Sequence, residues 1–113
     1  MTSQKKPLSL AHYMRLLKSK LPCYFPVYIR TLKLSDDIHG ECQLTEDNTF
    51  LLKINKNDLL VIQKDTLFHE YAHVLAWTPG HMDLADHSAS WGVAYARIWR
   101  TIHNENEGAD GSL

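Results

Sequence analysis

Apolar and polar positions alternate along this chain with two different periods. Over "LSLAHYMRLLKSKL", Leu10, Tyr13, Met14, Leu17 and Leu21 recur at steps of three and four. That spacing lines one face of an amphipathic helix. Ser9 is suited to cap it, and Pro22 ends it, because the residue before a proline avoids helical dihedrals. The period then shortens. "VYIRTLKL" (27–34) is rich in β-branched residues, "GECQLT" (40–45) alternates Cys42 and Leu44 with polar neighbours, and "TFLLKIN" (49–55) sets Phe50, Leu52 and Ile54 on one face. These are strand signatures, and the turn-rich "TEDNT" joins the last two as a hairpin.

Helical spacing returns in "NDLLVIQKDTLFHEYAHVLAW". Asn57, Asp58 or Asp65 can cap this segment, so its start is open by two turns. Apolar residues cover nearly all its faces, which predicts a central, buried helix. Thr78-Pro79-Gly80 stops it, "HMDLADH" reads as a loop, and a last helix is expected from Ser88 to Asn104. Trp91, Ala94, Tyr95, Ile98 and Ile102 form its stripe. The sum is an α+β layer architecture with a three-stranded antiparallel sheet between helices. One domain is expected over residues 1–104, with "ENEGADGSL" (105–113) as a disordered tail.

The 113 residues, 44% of them hydrophobic, fit one globular core. No apolar run approaches the roughly 18 residues of a membrane span, and the polar N-terminus lacks a signal-peptide pattern, so a cytoplasmic protein is expected. Cys23 and Cys42 form no paired motif and read as ordinary thiols. The net charge of -1 is unevenly spread. Residues 1–35 carry Lys5, Lys6, Arg15, Lys18, Lys20, Arg30 and Lys33 with no acid, and all 13 acids lie beyond them. A basic third of this kind is either a solvated surface or a weak nucleic-acid contact, in which Lys5, Lys6, Arg15, Lys18 and Lys20 are the candidates.

The chemistry concentrates in His69-Glu70-Tyr71-Ala72-His73. Residues four apart on a helix share a face, so His69 and His73 can offer ring nitrogens to one ion. Glu70 lies about 100° round the helix, badly placed as a ligand but able to take a proton from water at the ion. The competing reading is a buried helix whose polar residues are simply satisfied. It has to account for two histidines and a glutamate in an apolar segment, at roughly 1–3 kcal/mol for each polar group left without a partner. A catalytic zinc site also needs a third protein ligand and an open position. Ala76 and Pro79 stand where the metzincin pattern requires glycine and a ligand, and the last helix offers no glutamate before Glu105. His81, Asp83, Asp86 and His87 remain. His87 is favoured, because a ligand at the start of a packed helix is held more firmly than one in mid-loop.

Taken together, His69-Glu70-Tyr71-Ala72-His73, thirteen further residues, and then His87-Ser88-Ala89-Ser90-Trp91 resemble the SprT-like zinc metalloproteases. The resemblance covers about residues 8–103. It implies a compact zincin core, one Zn²⁺ per chain on His69, His73 and His87, and Glu70 as general base. Ser88 departs from the glycine common there, and a minimal catalytic core, without the C-terminal zinc-ribbon and DNA-binding extensions of larger members, is expected. Trp91 and Tyr95 share the face of His87; core packing suits both, and the Tyr95 hydroxyl is also a candidate for the developing oxyanion. His81 is a second candidate substrate contact. His12, His39 and His103 have no ligand-like neighbours. The leading expectation is a zinc-dependent endopeptidase acting on protein or peptide substrates. The alternative is a catalytically silent module of the same fold that binds nucleic acid or a protein partner through its basic N-terminal third.

Overall fold

The computed structural model describes residues 9–79, 84 and 87–109, with side chains through residue 105. Helix α1 spans Leu10–Lys20, strands β1, β2 and β3 span Val27–Leu32, Gly40–Leu44 and Phe50–Asn55, and helices α2 and α3 span Leu60–Ala76 and Ala89–Ala109. Among the described residues no helix is long and apolar enough to cross a membrane. Ser9 caps α1 as expected, its hydroxyl accepting from the His12 N–H at 3.1 Å.

The sheet is mixed, which corrects the antiparallel expectation. Its order is β1-β3-β2, with β1 parallel to β3 and β2 antiparallel to it. The β2–β3 hairpin forms around "TEDNT": the Thr45 N–H donates to the Thr49 carbonyl at 2.8 Å, and Asn48 takes the left-handed conformation (φ 61°) that asparagine tolerates well. The physical reason for the order lies in β3. Phe50, Leu52 and Ile54 are fully buried and Leu51 and Lys53 are half covered, whereas β1 and β2 each leave positions exposed. The strand covered on both faces takes the centre.

That order forces the 33–39 connection across the end of β3, where Asn55 receives it. Asn55 is 2% exposed. Its Nδ2 donates to the carbonyls of Ser35 (3.1 Å) and Ile38 (2.9 Å), and its Oδ1 accepts from the N–H groups of Leu34 (3.3 Å) and Asn57 (3.1 Å). Its own N–H donates to the His39 carbonyl at 2.8 Å. A buried amide so completely satisfied holds the crossing loop in one conformation.

Helix α2 is half of what its sequence suggests. From Thr66 onward it is central: Leu67, Phe68, Tyr71, Ala72 and Val74 have no exposure. Its first turn, with Leu59, Leu60, Val61 and Ile62, is exposed. The helix starts after Leu59, which supplies no side-chain cap, so neither Asn57, Asp58 nor Asp65 serves as one. Giving up that cap costs about 1 kcal/mol. Tyr71, inside the histidine motif, docks α2 onto α1. Its hydroxyl donates to the Leu21 carbonyl at 2.7 Å and lies 3.2 Å from that of Leu17, satisfying the end of α1.

Helix α3 buries Ala94, Ile98 and Ile102 along the expected stripe. It continues to Ala109, beyond the expected end at Asn104. Glu105 pairs with Lys20 of α1 at 3.4 Å; residues 110–113 lie outside the described residues.

Candidate metal centre and cleft

Three histidines meet where α2 faces the start of α3. The Nε2 of His69 lies 3.3 Å from that of His73 and 3.1 Å from that of His87, with all three candidate ligand atoms within 4.8 Å of one another. Donors at about 2.0–2.1 Å around a tetrahedral ion stand roughly 3.3–3.4 Å apart, so the two spacings from His69 are close to those between adjacent corners of such a site. Direct hydrogen bonding among the rings accounts for it poorly. The single in-plane lone pair of His69 Nε2 cannot serve two neighbouring N–H donors well, and one N–H on His69 cannot serve two acceptors. The three histidines are therefore close enough, and of the right chemistry, to hold a metal ion.

Each histidine has its own support. His73 is 6% exposed and anchored in the buried half of α2. His87 stands two residues before α3, whose first turn is closed by the Gly92 N–H donating to the Ser88 carbonyl at 3.1 Å. Trp91, one turn into α3, donates its Nε1–H to the His69 carbonyl at 3.2 Å. Its ring centroid lies 5.1, 5.7 and 4.8 Å from those of His69, His73 and His87. Trp91 thus packs as the sequence suggests, and in doing so ties α3 to α2. Tyr95 stacks on Trp91 (4.9 Å, 13°) and meets Trp99 edge-on. His81, Asp83 and Asp86 lie outside the described residues, as do Lys5 and Lys6.

Glu70, next to His69 on α2, lies against β2, its Cγ 3.6 Å from where a Cβ on Gly40 would sit. It lines a cavity of about 540 Å³ with Asp37, Ile38, His39 and Gly40 on one wall and Ile62, Asp65, Thr66 and His69 on the other. Burial holds its carboxyl above the ordinary range, against opposing pulls from a hydrogen bond with Cys42 and from His69 and His87. A carboxylate so placed is a stronger base than an exposed one. Cys42, on the inward face of β2, is itself held well above the usual thiol range by burial and by Glu70. Gly40 makes the close approach of β2 to α2 feasible: a Cβ there would sit 2.4 Å from Thr66 Cγ2 and 2.8 Å from the Lys53 carbonyl oxygen.

The remaining basic candidates do not gather at this site. Lys18 lies 6.0 Å from the Tyr28 ring, Lys20 is paired with Glu105, and Arg15 is exposed on α1. Sequence reasoning passed over Asn55, Cys42 and the pairing of His39 with Asp58 at 2.9 Å. Only Cys42 carried a signal, since its alternation on β2 sets it on the same face as Gly40.

No protein-family model, curated protein or solved structure matches this chain.

Proposed function

We propose that the chain is a zinc-dependent metallopeptidase of the SprT-like kind, hydrolysing peptide bonds in protein or peptide substrates. The observation that carries this reading is the convergence of the His69, His73 and His87 Nε2 atoms beside a cavity lined by Glu70. Three neutral imidazoles are a donor set that suits Zn²⁺ and leaves a fourth position open. When bound there, the ion supplies Lewis-acid chemistry, drawing charge from a carbonyl oxygen and making water acidic enough to ionise near neutrality.

The chain's own residues do the rest. His69, His73 and His87 would hold the ion at the junction of α2 and α3. The Glu70 carboxylate accepts a proton from the attacking water, whose oxygen bonds to the carbonyl carbon. As the C–N bond breaks, Glu70 returns that proton to the leaving amine nitrogen. Trp91 holds the ligand helix against α3, and the cavity between β2 and α2 gives an extended substrate a path past Glu70.

The test is Glu70→Gln on zinc-loaded protein, assayed with an unfolded protein substrate. Glutamine keeps the shape but cannot take the proton. Cleavage is expected to fall by about 10²–10⁴-fold with metal content unchanged. Equal cleavage by both proteins contradicts the role of Glu70.

A further inference from the structure

The wall of the cavity opposite Glu70 carries a second built arrangement. His39 immediately precedes β2, and its Nδ1 lies 2.9 Å from Asp58 Oδ2. Both residues are tied down through their backbones. The His39 carbonyl accepts from the Asn55 N–H at 2.8 Å, and the Asp58 N–H donates to the Asn55 carbonyl at 3.2 Å. The Asp58 carbonyl in turn accepts from Gln63 Nε2 at 2.8 Å.

Asp58 stands just ahead of α2, where an aspartate ordinarily caps the helix, yet α2 begins without a side-chain cap. The carboxylate is instead spent on His39. Its side chain is 18% exposed, whereas that of His39 is 62% exposed. A carboxylate bound to Nδ1–H selects the tautomer whose Nε2 carries a lone pair. His39 borders the same cavity as Glu70 and His69.

Resting on the peptidase reading, the geometry points to His39 as a substrate-contacting residue: its Nε2 accepts a hydrogen bond from a main-chain N–H of a peptide in the cavity, and Asp58 is the positioning residue that sets its tautomer. An extended peptide presents such N–H groups whatever its side chains, so the contact serves affinity and alignment rather than side-chain choice. The three histidines of the metal centre lie on α2 and before α3, so His39 can be changed without touching them.

The experiment uses zinc-loaded Glu70→Gln protein, which cannot turn substrate over, and a fluorescein-labelled digest of casein as the peptide probe, read by anisotropy. Added His39→Ala is expected to weaken binding about three- to tenfold, the range of one neutral hydrogen bond. His39→Gln, whose side-chain oxygen can accept in the same place, is expected to restore most of it. Long-range proton–nitrogen spectra are expected to show His39 protonated at Nδ1, and to lose that signature in Asp58→Ala. Asp58→Ala in the His39→Ala background should weaken binding no further. Unchanged binding in His39→Ala overturns the proposal, as does the absence of binding up to millimolar probe. The parent reading fails separately: an intact Glu70 protein that cuts nothing, while its Gln variant binds peptide through His39, refutes the peptidase and leaves this contact standing.

Discussion

Gly40→Ala is expected to be among the most damaging single-methyl changes in the molecule. The added Cβ falls 2.4 Å from Thr66 Cγ2 and 2.8 Å from the Lys53 carbonyl oxygen, where ordinary contact begins at 3.4 Å. Neither neighbour yields easily. Thr66 is β-branched on the buried part of α2 and stiff at χ1, and the carbonyl belongs to the central strand. Strand β2 must therefore move off both α2 and β3. Overpacking of this kind costs about 1–3 kcal/mol, and two simultaneous clashes argue for the upper end. For a domain near this size, about 3 kcal/mol lowers the Tm by roughly 12–24 °C. Thr66→Ser removes the nearer obstacle and leaves the carbonyl. Added to Gly40→Ala, it should recover about half the loss, although alone it costs about 0.8 kcal/mol for one buried methyl. Urea denaturation of the four proteins gives the coupling directly, expected at about 1 kcal/mol or more. A Gly40→Ala protein within about 0.5 kcal/mol of the parent, or strictly additive variants, refutes the reasoning that β2 is pressed against α2 here.

Other consequences can be measured independently. Asn55→Ala strips partners from two carbonyls and two N–H groups of the 34–57 region, at a cost of about 2–4 kcal/mol after water replaces some of them; hydrogen exchange should quicken at residues 34–39 while metal affinity holds. The Cys23 thiol is pushed up to about 11 by burial, against an ordinary 9.0. Its thiolate fraction at pH 8 is then about 100-fold lower than after unfolding, and higher intrinsic nucleophilicity returns up to about tenfold, so native alkylation should run on the order of tenfold slower. Because folding raises this pKa, the associated stability is complete below about pH 9 and declines as pH rises towards 11, which a series of melts across that window checks.

The elements legible in the sequence were those whose pattern is local. Ser9 and Pro22 bracket α1 because capping and pre-proline restriction act within a few residues. The motif spacing placed His69 and His73 on one face for the same reason, and His87 at the head of α3 joins them in space. The strand order was not legible in the hairpin signal, which pairs β2 with β3 and says nothing of where β1 goes. The near-continuous burial of Phe50–Asn55 carried that information, and the alternating reading of 49–55 left it unused. His39 and Asp58 are 19 residues apart and meet only because the 33–39 loop crosses the end of β3 onto Asn55, a consequence of the order itself. The exposed first turn of α2 was equally hidden, since Leu59–Ile62 are as apolar as the buried residues that follow.

The most direct measurement is metal content by mass spectrometry on protein purified without added zinc, followed by a thermal melt with and without chelator. Convergent nitrogens at 3.1 and 3.3 Å predict one equivalent of Zn²⁺ per chain, a lower Tm on chelation, and loss of the metal in His87→Ala. Less than about half an equivalent together with an unchanged Tm on chelation, or full retention of zinc by His87→Ala, contradicts the metal centre on which the account rests.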